Sequence, residues 1–457
     1  MLGNISTRTD AYKAIHNKRK RKEKGQFFTS ERVAEYMAKM ASSEAKCLSV
    51  LDPGAGNGIL ATSIVEYCIS NNMCNSFKID FVENDSDVMD TLSETVSELK
   101  EYVSANGGKV EIRILNMNYI TDCIESTYDI IICNPPYMKL RKNSKEAEAM
   151  SQYIYGQPNL YSLFMAKSIE LLRDSGRFVF IVPRSWTSGS YYRKIRKYIL
   201  YNLDISDLLI FKNRCDVFEN ETVLQETMII SGKKSNKQKD SISIHIADGY
   251  VVDNEQVFNV KTELIKGIGR EEDLLLPSDE GEMDIIENMA SIHDTFDSLG
   301  YIFKTGPVVE FRNESDISVD SGFDMVPMYR ASNIVRGKCV FPVKIGKAQY
   351  VSKNAKNLLL KNENTVFLKR LSAKEESRRL QSCVYIKQDD QEYMSVENHV
   401  NYLQHKDGTP ISIEEAEWIN DLLMSDEYDV YFRMISGSTQ VNAGDLNYLP
   451  VKRREAV

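Results

Sequence analysis

From Cys47 to about Ile230 the chain alternates short apolar runs with longer stretches of helical period. Short apolar runs suit strands buried on both faces, and apolar positions recurring every three to four residues suit helices that cover such a sheet. The pattern predicts strands at Leu48–Leu51, Ile79–Val82, Val110–Leu115, Ile130–Cys133, Phe178–Val182, Leu208–Phe211 and Val223–Ile230. Helices are expected at Ile59–Ser70, Val88–Val103, Tyr161–Leu172 and Tyr191–Tyr201. Seven strands with intervening helices make one doubly wound α/β domain, assigned to residues 1–250. The polar run Ser231–Asp240 reads as a hairpin loop at the sheet edge before another alternating segment, Ile242–Ala247.

Beyond residue 250 the pattern changes. Glu271 to Ser298 carries ten acidic residues and no Lys or Arg, punctuated by Pro277 and Gly281. Residues 251–298 are therefore expected to form an acidic connector with one amphipathic helix, Met283 to Phe296. Residues 299–457 mix β-rich runs (Tyr301–Phe303, Thr365–Leu368, Cys383–Ile386) with a helix near Ile413–Met424, which predicts a separate, smaller α+β domain.

Composition bounds the function. With 42% apolar and 27% charged residues among 457, the chain is an ordinary folded one, and disordered or fibrous classes are excluded. The net charge of −9 argues mildly against a nucleic-acid partner, which needs a basic face. Counting by region changes that: residues 1–240 are net +3, and residues 299–457 hold 21 basic against 22 acidic groups, so the acidity sits in the connector. No stretch approaches the ~18 apolar residues of a membrane span, and the arm 1–24 is too polar for a signal peptide, so a cytoplasmic location is expected. The eight cysteines show no CxxC and the five histidines no ligand spacing, so no metal is expected.

The chemistry begins at Asp52-Pro-Gly-Ala-Gly-Asn-Gly58, where Gly54, Gly56 and Gly58 directly follow a strand and open a helix. Glycine lets the backbone turn tightly and approach a ligand, and the helix start offers free N–H groups. Glu83 ends the next strand, where an acid can grip the two ribose hydroxyls of a nucleoside cofactor. After the fourth strand comes Asn134-Pro135-Pro136-Tyr137. Its two prolines fix a rigid loop at the carboxyl edge of the sheet, the usual ligand crevice. That loop would hold the Asn134 side-chain oxygen and the Pro135 carbonyl as two acceptors beside the Tyr137 ring. An adenine amino nitrogen is a poor nucleophile because its lone pair is delocalised. Two acceptors on its hydrogens favour a pyramidal nitrogen and free the lone pair for in-line attack, while an aromatic face holds an extruded base.

These residues resemble the γ-class N6-adenine DNA methyltransferases, the group related to type I modification subunits and type IIG enzymes. The resemblance runs in motif order from about Gly25 to Ile230. Gly25-Gln-Phe-Phe-Thr29 resembles the family's first motif, against the methionine end of S-adenosyl-L-methionine. Asp52 to Gly58 resembles its glycine loop, Glu83 its ribose acid and Asn134 to Tyr137 its catalytic tetrapeptide; Phe218 stands where the family stacks a second ring on the flipped base. The resemblance implies a seven-stranded Rossmann-like class I fold, S-adenosyl-L-methionine as cofactor, no metal, double-stranded DNA as substrate, and a separately encoded restriction endonuclease as partner. One departure is Asn118-Tyr119, where the family usually has Asp-Phe against the cofactor's adenine; losing the charge weakens that contact by ~1 kcal/mol.

The second domain resembles a target-recognition domain. Lys369, Arg370, Arg378 and Arg379 form a basic cluster suited to phosphates, and Gln440 and Asn442 suit adenine edges. The arm Lys18 to Lys24 could lie along the DNA backbone. Three alternatives stay open: protein N5-glutamine methylation, which uses a similar Asn-Pro-Pro-Tyr loop; cytosine-N4 methylation; and a catalytically weak specificity component.

Overall fold

The computed structural model describes residues 1–457 except 17, 42, 44, 212–226, 248–254, 266–272, 374–375, 389–390, 436–438 and 454–457. The chain divides into two compact units, Met1–Ile265 and Lys266–Val457.

Among its described residues the first unit holds a nine-stranded sheet: β1 (Leu48–Pro53), β2 (Ser76–Glu83), β3 (Lys109–Asn116), β4 (Tyr128–Cys133), β5 (Leu172–Pro183), β6 (Leu203–Phe211), β7 (Thr227–Lys234), β8 (Ser241–Ala247) and β9 (Gln256–Lys261), in the order β3-β2-β1-β4-β5-β7-β6-β8-β9. β1 to β5 are parallel, and β7 runs antiparallel between β5 and β6. The first six expected strands are present, and the seventh, expected at Val223–Ile230, runs Thr227–Lys234, residues 223–226 lying outside the described residues. The run Ser231–Asp240 is not a hairpin loop at the sheet edge: Ser231–Lys234 continue β7, and β6 lies between β7 and β8. The alternating segment after Ser231–Asp240 is also a strand, and β9 completes a hairpin with it, so this unit reaches Ile265 rather than residue 250. Central strands are apolar on both faces, as burial between two helical layers requires: Leu48, Val50 and Leu51 of β1 and Ile130 to Cys133 of β4 are all fully buried.

The helices of this unit are α1 (Leu2–Ile15), α2 (Lys18–Glu23), α3 (Glu31–Ala41), α4 (Ile59–Ser70), α5 (Met89–Ala105), α6 (Lys145–Ala149), α7 (Leu160–Leu171), α8 (Arg193–Asn202) and α9 (Thr262–Ile265). The first two place the arm, expected along the DNA backbone, in two helices. Leu2, Ile5, Thr9 and Tyr12 line one face of α1 and are buried. Arg21 is also buried and donates to the Lys13 and His16 carbonyls, while the Lys24 ammonium reaches Asp85 at 2.7 Å and Asp87 at 2.9 Å. These two cations serve the fold.

Among its described residues the second unit contains two sheets. One orders Tyr301–Thr305, Val400–His405, Thr365–Lys369, Ser382–Tyr385, Lys338–Cys339 and Ile334–Val335 as neighbours. The other is built from Ile317–Ser318, Tyr350–Ser352, Met325–Tyr329, Tyr393–Val396 and Leu360–Lys361, strands of two to five residues whose pattern is too short to read in advance. The expected α+β character and the helix Ile413–Met424 are present. The acidic segment is not a free connector. Its helix runs Glu280–Ala290, capped by Asp279, with Ile286 and Met289 buried. Asp297 N then donates to Asn447 O, and Thr295 bridges Pro450. Among the described residues no helix is long and apolar enough to cross a membrane, and no cluster of His, Cys, Asp and Glu is arranged to hold a metal ion.

Candidate active site

A cavity of about 470 Å³ opens at the carboxyl ends of β1 to β4, within the usual size for a small-molecule site. Its wall includes Gly54, Gly56, Glu83, Asn118, Asn134 and Phe164. A larger cavity of about 810 Å³, lined by Arg32, Tyr36, Glu66 and Glu255 among others, contains none of these strand-end groups.

The glycine loop leaves β1 with positive φ at Gly54 (+71°), Gly56 (+54°) and Gly58 (+79°), which favours glycine at each. Their roles differ. Gly54 and Gly56 face the cavity, whereas a Cβ on Gly58 would meet Leu92 Cδ1 at 2.9 Å, so Gly58 lets α4 pack on α5. Asp52 is wholly buried, outside the cavity wall, and accepts from Ala61 N at 3.2 Å. It steadies the loop from beneath, and burial raises its carboxyl well above the usual range. Glu83 does reach the cavity. Its Oε2 accepts from Gly56 N at 2.8 Å, and its Oε1 from Asn84 N and Asp85 N, both at 2.8 Å. Burial raises its pKa, and the three backbone donors oppose that rise. Oε1 is filled by its two backbone donors, and Oε2 keeps a lone pair for a ribose hydroxyl.

Asn134 is fixed by the segment Gly25 to Thr29. Its Nδ2 donates to Phe27 O at 2.8 Å and to Thr29 Oγ1 at 3.0 Å, which assigns the amide and turns Oδ1 into the free acceptor. Gly25 seats the next part of the loop. Tyr137 N donates to Gly25 O at 3.2 Å, and a Cβ on Gly25 (φ +67°) would stand 2.9 Å from Tyr137 N. Pro135 is buried and Pro136 lines the cavity. The Tyr137 hydroxyl donates to Ile181 O at 3.0 Å, so its ring is held at the end of β5. Phe218 lies outside the described residues.

Asn118 and Tyr119 both line the cavity, but the Asn118 acceptor is already used: Oδ1 takes Ile120 N at 3.0 Å and Thr121 N at 3.3 Å. Its Nδ2 donates to Glu146 Oε1 at 2.9 Å. Tyr119 hydrogen-bonds Ser168 and packs on Phe164, ring centroids 4.8 Å apart. Neither Glu146 nor Phe164 is signalled by the sequence, because both lie on elements that meet β3 only in the folded chain.

The basic cluster of the second unit is less available than expected. Arg379 is wholly buried, donates to Ser372 Oγ and stacks over Phe432, so it is a core residue and not a phosphate contact. Arg378 is committed to Asp426 and the Ser425 carbonyl at 2.6 Å each. Lys369 donates to Gln381, and Arg370 to the Asn398 carbonyl and, at 3.5 Å, to Gln440. Gln440 is exposed, and Asn442 donates to Asp445.

The strand order, the antiparallel β7 and a nucleoside-sized cavity over a glycine loop define a class I methyltransferase domain. The chain is 30% identical over 446 residues to the type II methyltransferase M.BsuBI of Bacillus subtilis, a match spanning 95% of this chain and 88% of that one. It is 28% identical to M.PstI of Providencia stuartii over the same shares. The Eco57I restriction-modification methylase family matches residues 61–218. The chain therefore belongs to the type II methyltransferases of restriction-modification systems. The fold extends past the catalytic unit: a nuclease-deletion mutant of the Type ISP restriction-modification enzyme LlaGI, solved with a DNA substrate mimic, superposes with a TM-score of 0.51 at 12% identity, covering 90% of this chain and 52% of that one.

Proposed function

We propose that the chain methylates the N6 amino group of an adenine flipped out of double-stranded DNA, as the modification partner of a separately encoded restriction endonuclease. The observation that carries this reading is the fixed amide of Asn134, whose nitrogen is spent on Phe27 and Thr29 and whose oxygen is left as an acceptor. S-adenosylmethionine, when bound, supplies a methyl group on a positively charged sulfur. The glycine cradle, the buried acid at Glu83 and the cavity volume fit it.

In this reading Glu83 Oε2 accepts a ribose hydroxyl, and Gly54 and Gly56 let the backbone approach the ligand. Asn134 Oδ1 and the Pro135 carbonyl accept the two amino hydrogens of the adenine, holding its nitrogen pyramidal with the lone pair aimed at the methyl carbon. Tyr137 offers one face to the base and Phe218 the other. The methylated nitrogen is strongly acidic, so its extra proton leaves to water. In the second unit Lys369 and Arg370 are the cluster's candidates for phosphates, with Gln440 and Asn442 for base edges.

Incubation with tritiated S-adenosylmethionine tests the reading. Duplex DNA should take up label with the native chain and not with Asn134→Ala. Equal labelling by the variant, or labelling of a glutamine peptide in place of DNA, would sink it.

A further inference from the structure

The strand ends line the cavity in a fixed order: Asn134 after β4, the glycine loop after β1, Glu83 at the end of β2 and Asn118 after β3. If the methyl group is presented at β4 and the ribose at β2, the purine of the cofactor extends to the β3 end, where Asn118 and Glu146 form the wall. A purine 6-amino group is a donor and needs an acceptor there. Asn118 cannot provide one, because its oxygen holds two backbone N–H groups of its own loop. Glu146 can: it is half-buried, lines the cavity, and shares only Oε1 with Asn118 Nδ2 at 2.9 Å. A carboxylate has about four lone-pair sites, so acceptor capacity remains. Burial raises the Glu146 carboxyl, but hydrogen bonds from its own N–H, Asn118 and Ser144 outweigh this and keep it ionised.

We propose that Glu146, positioned by Asn118, recognises the 6-amino group of the cofactor's adenine and makes the site selective for adenosyl over inosyl cofactors. This rests on the cofactor reading above. A hypoxanthine ring presents a carbonyl at the same position, and two acceptors facing each other repel. The division of labour also predicts a swap. Asn118→Asp alone sets two carboxylates against each other, whereas Asn118→Asp with Glu146→Gln restores one acid and one amide.

Isothermal titration with S-adenosylhomocysteine and S-inosylhomocysteine tests this on the full chain. The native protein should prefer the adenosyl ligand by about 100-fold. Glu146→Gln should bind it about tenfold more weakly, with the preference narrowed below about tenfold. The double variant should recover adenosyl affinity to within about threefold, and Asn118→Asp alone should not. Adenosyl affinity and preference unchanged in Glu146→Gln, with Glu83→Ala still losing binding, would overturn the role of Glu146 and leave the cofactor reading intact. Failure of the native chain to bind either ligand, or full binding by Glu83→Ala, would overturn the cofactor reading and this proposal with it.

Discussion

The side-chain nitrogen of Asn134 lies 3.0 Å from the hydroxyl oxygen of Thr29, across 105 residues of sequence. That bond, with the one to Phe27 O, fixes which end of the amide faces the cavity. Thr29→Val removes one of two constraints and should lower the methyl-transfer rate about fivefold, the worth of ~1 kcal/mol of orientation, while Thr29→Ser retains most of it. Single-turnover transfer of a tritiated methyl group measures this, and equal rates for Val and Ser would show that the hydroxyl does not position Asn134.

Gly25 works on the same loop through space. Any Cβ there meets the backbone of Tyr137 and is strained by the positive φ. Gly25→Ala should therefore cut turnover by at least about tenfold while changing cofactor affinity less than about threefold, since the glycine loop and Glu83 are untouched. Cofactor titration beside turnover separates the two effects.

Burial raises the pKa of Glu83, the ribose acceptor proposed here. The ionised carboxylate is the stronger acceptor for the hydroxyl, so affinity should be full above that pKa and fall as pH drops through it, at a higher pH than an ordinary glutamate would show. Glu83→Gln should bind weakly and lose this pH dependence. A native profile flat down to the ordinary glutamate range of about 4.3 would contradict the assignment.

A polar cluster away from the cavity makes stability pH-dependent. His245 on β8 contacts Asp207 at 3.3 Å and Glu255 at 3.1 Å, and Tyr36 donates to Glu255 at 2.5 Å. Burial lowers the His245 pKa, but the two carboxylates outweigh it and the net shift is upward. A raised histidine pKa contributes stability that is full below the unfolded value of about 6.5 and is lost as pH rises through the folded value. The melting temperature should fall more between pH 6.5 and 8.5 in the native chain than in His245→Gln, as calorimetry can measure.

Arg379 and the pair Lys369 and Arg370 should separate cleanly. Arg379→Met replaces a buried cation and leaves Asp429 bonded to the backbone N–H groups of residues 379 and 380, so its effect should appear in stability. Lys369→Ala with Arg370→Ala should instead weaken DNA binding and reduce its salt slope by about 2. An unchanged slope would move the phosphate contacts elsewhere.

The catalytic sheet was legible because its strands carry unbroken apolar runs and its loops carry residues that only special backbone accepts: Gly54, Gly56, Pro135 and Pro136. What the sequence concealed depends on long-range packing. α1 buries two polar-capable residues, Thr9 and Tyr12, beside Leu2 and Ile5, so its apolar stripe is faint. Arg378 and Arg379 read alike as charges, yet the turn of the chain sends one to Asp426 and the other into the core. Glu146 belongs to the site only because the segment after β4 returns to the loop after β3.

The proposed role of Asn134 is to direct methylation to the adenine amino group. Nucleoside mass spectrometry of DNA from a methylation-free host expressing the chain tests it most directly. The expected product is N6-methyladenine with the native sequence and none with Asn134→Ala; N4-methylcytosine, or N6-methyladenine at the same level in both, would rule that role out.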